Sequence, residues 1–83
     1  MITDTAKKQL KKLDLATIIR IDKKLHEISD EPFLYVTKVV GLEFYKIRLG
    51  DYRVLMSISK NSLIIMIVGD ENEFKRSVKQ RTG

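Results

Sequence analysis

The sequence predicts an α+β fold: two N-terminal antiparallel helices packed on one face of a three- to four-stranded antiparallel sheet, followed by a polar C-terminal tail or short helix. Three observations carry this. Apolar residues recur at helical spacing up to Pro32. The run Phe44 to Val54 then alternates apolar and basic residues on both sides of Gly50-Asp51, the mark of two half-buried strands joined by a two-residue hairpin. Finally, Leu63 to Val68 is an unbroken apolar run bounded by turn residues, which reads as a central strand covered on both faces.

The elements follow in order. Asp4 or Thr5 caps a first helix through Ala6–Leu13, in which Ala6, Leu10 and Leu13 form one stripe and lysines cover the rest. Asp14 caps a second helix whose Ile18, Ile21, Leu25 and Ile28 share a face; it ends before Pro32, because a residue preceding proline resists the helical region. Between Phe33 and Glu43, Tyr35, Val36, Val39 and Val40 favour extended structure and Gly41 interrupts it, giving an edge strand or an ordered crossing loop. The hairpin strands run roughly from Phe44 to Leu49 and from Tyr52 to Ser59, with a second turn at Lys60-Asn61-Ser62.

A two-residue loop fixes the hairpin register: Leu49 faces Tyr52, Arg48 faces Arg53, Ile47 faces Val54 and Tyr45 faces Met56. Tyr45, Ile47, Leu49, Tyr52, Val54 and Met56 then share the side that meets the helices, and Lys46, Arg48 and Arg53 project from the uncovered side. Like charges directly opposite one another cost a sheet on the order of 0.2–1 kcal/mol per pair. An anionic ligand held between them is the simplest physical reason for their presence.

Composition bounds the possibilities. Eighty-three residues form one domain, 1–83, with no repeat or linker, and the thin core of so short a chain favours a partner that completes it. There is no cysteine, hence no disulfide or thiolate metal site, and the acids and the lone His26 make no metal-ligand motif, so neither metal nor cofactor is expected. His26 reads as a surface residue of the second helix. No signal-type apolar stretch follows the N-terminus, and no apolar run is long enough to span a bilayer, which fits a cytoplasmic address with no membrane partner. The net charge of +5 suits a polyanionic partner.

These groups permit RNA cleavage without a metal. Arg48 and Arg53 offer planar donor pairs to the phosphate oxygens as a 2′-hydroxyl attacks, and Lys46, crowded by two guanidinium groups, can take or deliver the proton. Lys7, Lys8, Lys11 and Lys12 on the first helix, and Lys75, Arg76, Lys79 and Arg81 in the C-terminal segment, read either as solvated faces or as candidate contacts to RNA phosphates, the C-terminal set alternatively to an acidic partner helix. Val36, Val39, Val40 and Leu42 are apolar residues in a segment that a two-layer core does not fully cover, and they form a candidate surface for a partner helix or strand.

From Thr3 to Gly69 the sequence resembles the RelE/ParE superfamily of toxins from toxin–antitoxin pairs, nearest its RelE branch. The resemblance rests on the lysine-rich first helix ending Lys11-Lys12-Leu13-Asp14, Gly41-Leu42 before the strand Phe44–Leu49, Gly50-Asp51-Tyr52-Arg53-Val54, and the closing Ile67-Val68-Gly69. It implies a microbial ribonuclease-like fold and a ribosome-dependent messenger RNA endonuclease neutralised by a cognate RelB-like antitoxin in a heteromeric complex. Lys46, Arg48 and Arg53 match the family's functional cations, and the antitoxin would cover Val36, Val39, Val40 and Leu42. Two departures stand out. Asp70-Glu71-Asn72-Glu73-Phe74-Lys75-Arg76 follows Val68-Gly69 where many members carry histidine or lysine, then arginine and later tyrosine, and the family's N-terminal strand is reduced to Met1-Ile2-Thr3 or lost. The competing expectations are a non-enzymatic or catalytically impaired binding protein of the same fold, and a ParE-like gyrase inhibitor.

Overall fold

Thr3, rather than Asp4 or Thr5, caps the first helix: its hydroxyl accepts a hydrogen bond from the Ala6 amide at 3.2 Å. The computed structural model describes residues 1–60 and 62–82, the last two as backbone. Helix α1 spans Asp4–Leu10 and stops short of the predicted Leu13. The amides of Lys12 and Leu13 bond three residues back, to Gln9 and Leu10, and this tightened turn leaves Asp14 to cap α2, Leu15–Ile28. The Asp14 carboxylate accepts from the Thr17 hydroxyl rather than from a backbone amide. A single 3₁₀ turn at Pro32–Leu34 leads to β1, Thr37–Lys38, which resolves the ambiguous crossing segment as a turn plus a minimal edge strand.

Strands β2 (Tyr45–Leu49), β3 (Tyr52–Ser59) and β4 (Ser62–Asp70) complete a four-stranded antiparallel sheet in the order β1-β2-β3-β4. Every predicted pair of the β2–β3 hairpin is present, from Leu49↔Tyr52 to Tyr45↔Met56. Gly50 takes φ +62, the left-handed conformation this two-residue loop requires. Of the second turn, Asn61 lies outside the described residues.

The apolar run Leu63–Val68 is not a central strand. It lies in β4, at one end of the sheet order, and its composition reflects covering from three directions. One face joins the main core with Ala6 of α1, Ile21 and Ile28 of α2, and Ile47, Val54 and Met56 of the hairpin. The outer edge is closed by the chain's own start: Ile2 bridges Ile65 in parallel, the Thr3 amide donates to Ile65 O at 2.9 Å, and the Ile65 amide donates to Met1 O at 2.8 Å. Farther along that edge, Gln9 of α1 accepts from the Val68 amide at 2.8 Å through Oε1 and donates to the Ser77 hydroxyl at 3.2 Å through Nε2. The N-terminal segment is therefore retained as a bridge that occupies the outer edge of β4.

The third direction corrects the expectation of an open sheet face. Of the two forms expected for the C-terminal segment the helix is present: Glu71–Thr82 form α3, of 12 residues. Its Phe74 is buried with Leu55, Met66 and Ile67, and Val78 packs beside them, making a second, smaller core on the opposite side of the sheet. A register shift after Leu55 pairs Met56 with Ile65, so Met66 and Ile67 both serve this second core. Short polar-looking segments such as 71–82 hide this arrangement, because two apolar anchors four residues apart suffice to seat three helical turns. Among the described residues no helix is long and apolar enough to cross a membrane.

Candidate functional site

The hairpin register builds the site. Arg48 stands directly opposite Arg53, and Lys46 lies two residues back on the same face of β2. Leu55, the next position of β3 on that face, is already covered by Phe74 of α3, so the cations occupy the end of the face nearest the Gly50 turn. Lys46 and Arg48 are exposed and Arg53 is half-buried. All three line one open cavity of about 400 Å³, together with Tyr35 and Lys24. The guanidinium groups reach only long bonds to backbone carbonyls, Arg48 Nε to Gly50 O and Arg53 Nη1 to Tyr52 O, both 3.4 Å. Neither they nor Lys46 makes an ion pair within the described residues.

Acids border this row on one side. Arg53 pairs with Gly69 of β4, and the space above Gly69 is filled by Glu73: a Cβ there would lie 3.0 Å from Glu73 Cβ and Cγ. Glycine lets the first turn of α3 rest on the sheet beside Arg53. Glu71, also on that turn, binds Lys75 at 3.1 Å. Its hydrogen bond to Lys75, then the charges of Lys75, Arg53 and Arg48, hold the carboxyl below the usual carboxylate range, so it is ionised next to the arginine pair.

The other predicted contacts are not gathered here. Lys7, Lys8, Lys11 and Lys12 are exposed on and after α1, which packs on β4, the far side of the sheet from β2. Lys75 is engaged with Glu71, and Arg76 and Lys79 are exposed on α3; the Arg81 side chain lies outside the described residues. Val36 packs against the main core and Val39 against the second, Leu42 is half-buried, and Val40 is 98% exposed. The larger apolar side chains left open nearby are Phe33 and Leu34, at 60% and 71% exposure. Lys24 and Tyr35 line the cavity but carry no local signal: α2 and the segment after the 3₁₀ turn bring them to the hairpin only through tertiary packing. His26 is exposed and its ring contacts Asp22. Among the described residues no three His, Cys, Asp or Glu side chains gather as metal ligands would.

Comparison with known proteins gives three findings. Residues 1–70 match the family model described as the ParE toxin of the type II toxin–antitoxin system parDE. No curated protein matches the sequence. Among solved structures, the fold matches a chain in the crystal structure of the RelB–RelE antitoxin–toxin complex from Methanococcus jannaschii, with a TM-score of 0.71 and 20% identity, covering 100% of this chain and 99% of that one.

Proposed function

Because the chain belongs to the ParE toxin family of type II toxin–antitoxin systems, we propose that this toxin is a metal-independent endoribonuclease that cuts messenger RNA on the ribosome, neutralised by a RelB-like antitoxin. The observation that carries the reading is the cross-strand pair Arg48–Arg53, with Lys46 beside it, around one open cavity. Two arginines lining a common cavity suit the non-bridging oxygens of a phosphodiester, and suit them best when charge builds there.

In the reaction so read, the 2′-oxygen bonds to phosphorus as the bond from phosphorus to the 5′-oxygen breaks. The 2′-hydroxyl proton passes to solvent water in the open cavity, and the Lys46 ammonium delivers a proton to the leaving 5′-oxygen. The arginines hold the phosphate throughout, and the products are a 2′,3′-cyclic phosphate and a free 5′-hydroxyl. Toxicity in growing cells, with messenger RNA 5′-ends mapped, tests this against Arg53→Ala. Cuts at codon positions that vanish in the folded variant are expected; unchanged cutting by Arg53→Ala overturns the assignment. Cleavage is also expected to persist in chelator.

The antitoxin reading is supported by the solved complex of the similar fold and by Phe33, Leu34 and Val40, which the chain leaves uncovered. Leu34→Glu with Val40→Glu is expected to escape neutralisation by the antitoxin while keeping toxicity. The ParE identity of the matching model favours gyrase inhibition as the second reading. A DNA-damage response without messenger cleavage would select it.

A further inference from the structure

The cations of the hairpin do not end at Arg48. A second cavity, of about 280 Å³, opens between α2 and the Gly50 turn, lined by Arg20, Lys23 and Lys24 of α2 and by Arg48. Arg48 and Lys24 also line the first cavity, so the two share a wall. Arg20 reaches over the turn: one of its guanidinium nitrogens is 3.8 Å from where a Gly50 Cβ would stand. Spacing explains why three cations of α2 meet the hairpin, since positions 20, 23 and 24 are three and four apart and share a helix face. One acid, Glu27, borders this cavity and binds Lys24 at 3.6 Å, while Arg20 and Lys23 make no ion pair within the described residues.

We propose that Arg20 and Lys23 hold the phosphate backbone of the RNA strand next to the phosphate gripped by Arg48 and Arg53, so that the binding track turns from the sheet face around β2 onto α2. Lys24 sits at the junction, with its ammonium 5.9 Å from the centre of the Tyr35 ring. The helix cations bind and do not react: they touch neighbouring phosphates, while bond-making stays with the hairpin. This rests on the ribonuclease reading only for the nature of the anion, a single RNA strand.

The probe is a short, fluorescently labelled single-stranded RNA methylated at every 2′-oxygen, which can be bound but not cut. Affinity is measured by anisotropy over a range of salt for the full chain, Lys23→Ala, Arg20→Ala/Lys23→Ala and Lys60→Ala. For single strands each phosphate contact contributes about 0.7 to the log–log salt slope, or about five-fold in affinity at 0.1 M salt. The double variant is therefore expected to bind about 25-fold more weakly, with a slope shallower by about 1.4. Lys60→Ala removes one charge from the exposed turn after β3 and controls for net charge, with a change under about two-fold expected. Arg20 and Lys23 are exposed on a helix that alanine favours, and circular dichroism verifies folding. Binding by the double variant within two-fold of the unsubstituted chain, at an unchanged slope, overturns the track, as does failure of the unsubstituted chain to bind the RNA. Loss of affinity in the double variant while the unsubstituted chain cuts no message sustains the track and removes the ribonuclease reading alone.

Discussion

Gln9 is the residue whose removal the structure makes most informative. It is 8% exposed, and its amide joins three elements: Oε1 accepts from Val68 N of β4 at 2.8 Å, and Nε2 donates to Ser77 Oγ of α3 at 3.2 Å. Gln9→Met keeps the volume but removes both partners. The Val68 amide, buried at the sheet edge, then has no acceptor, which costs about 1–3 kcal/mol, and losing the weaker Ser77 bond adds about 0.5–1 kcal/mol. A total of about 1.5–4 kcal/mol is a large share of the stability of a small domain and lowers Tm by roughly 6–30 °C. Urea unfolding at constant m measures the loss, and amide exchange at Val68 locates it. Ser77→Ala should cost under about 1 kcal/mol, because it leaves the Val68 bond intact. If Gln9→Met is within about 0.5 kcal/mol of the parent and Val68 exchanges equally slowly, the edge is not held by Gln9 and the reasoning fails.

Further outcomes follow from the same contacts. Phe74→Ala should destabilise by about 3–5 kcal/mol and make α3 an early site of proteolysis, because Phe74 is the buried anchor of the second core. Gly69→Ala should cost about 1–3 kcal/mol in denaturant unfolding, since its new methyl meets Glu73 at 3.0 Å. Gly50→Ala, at φ +62, should cost about 1–2 kcal/mol and loosen the hairpin that aligns Arg48 with Arg53. Glu71 has a folded-state pKa below its ordinary value, so its stabilisation is present above the unfolded value and disappears as pH falls through the folded one. Unfolding of the parent and of Glu71→Gln, compared from neutral to acid pH, should accordingly show the parent's advantage vanishing on the acid side.

The hairpin was legible from sequence because strand alternation and Gly50-Asp51 are local signals, and together they determined register, faces and the Lys46/Arg48/Arg53 row. The first two helices were legible for the same reason, with Asp14 as the second cap; the first cap was not, since Asp4 and Thr5 cap as well as Thr3 by chemistry and only the chain path toward Ile65 selects Thr3. What escaped was non-local. β4 reads as central because a strand's composition reports how many sides are covered, not by what, and here α1, α3 and residues 1–3 cover it. The site was half legible: the cations of β2 and β3 declare themselves, whereas Lys24, Arg20 and Tyr35 join them only through the packing of α2 and the 3₁₀ turn.

Strand β1 pairs with β2 only at Tyr45 and Lys46, so Ile47 to Leu49 have a strand on one side alone. Exposed main-chain donors and acceptors along such a rim can zip onto a second molecule, and charge repulsion from lysine and arginine is a common safeguard. Lys38, Lys46 and Arg48 crowd this rim, so the charges read here as gripping RNA also keep copies of the protein from sticking to each other. Neutralising them to test the proposed cleavage removes that safeguard too, and a Lys46→Ala/Arg48→Ala variant should precipitate or self-associate more readily than the unsubstituted protein.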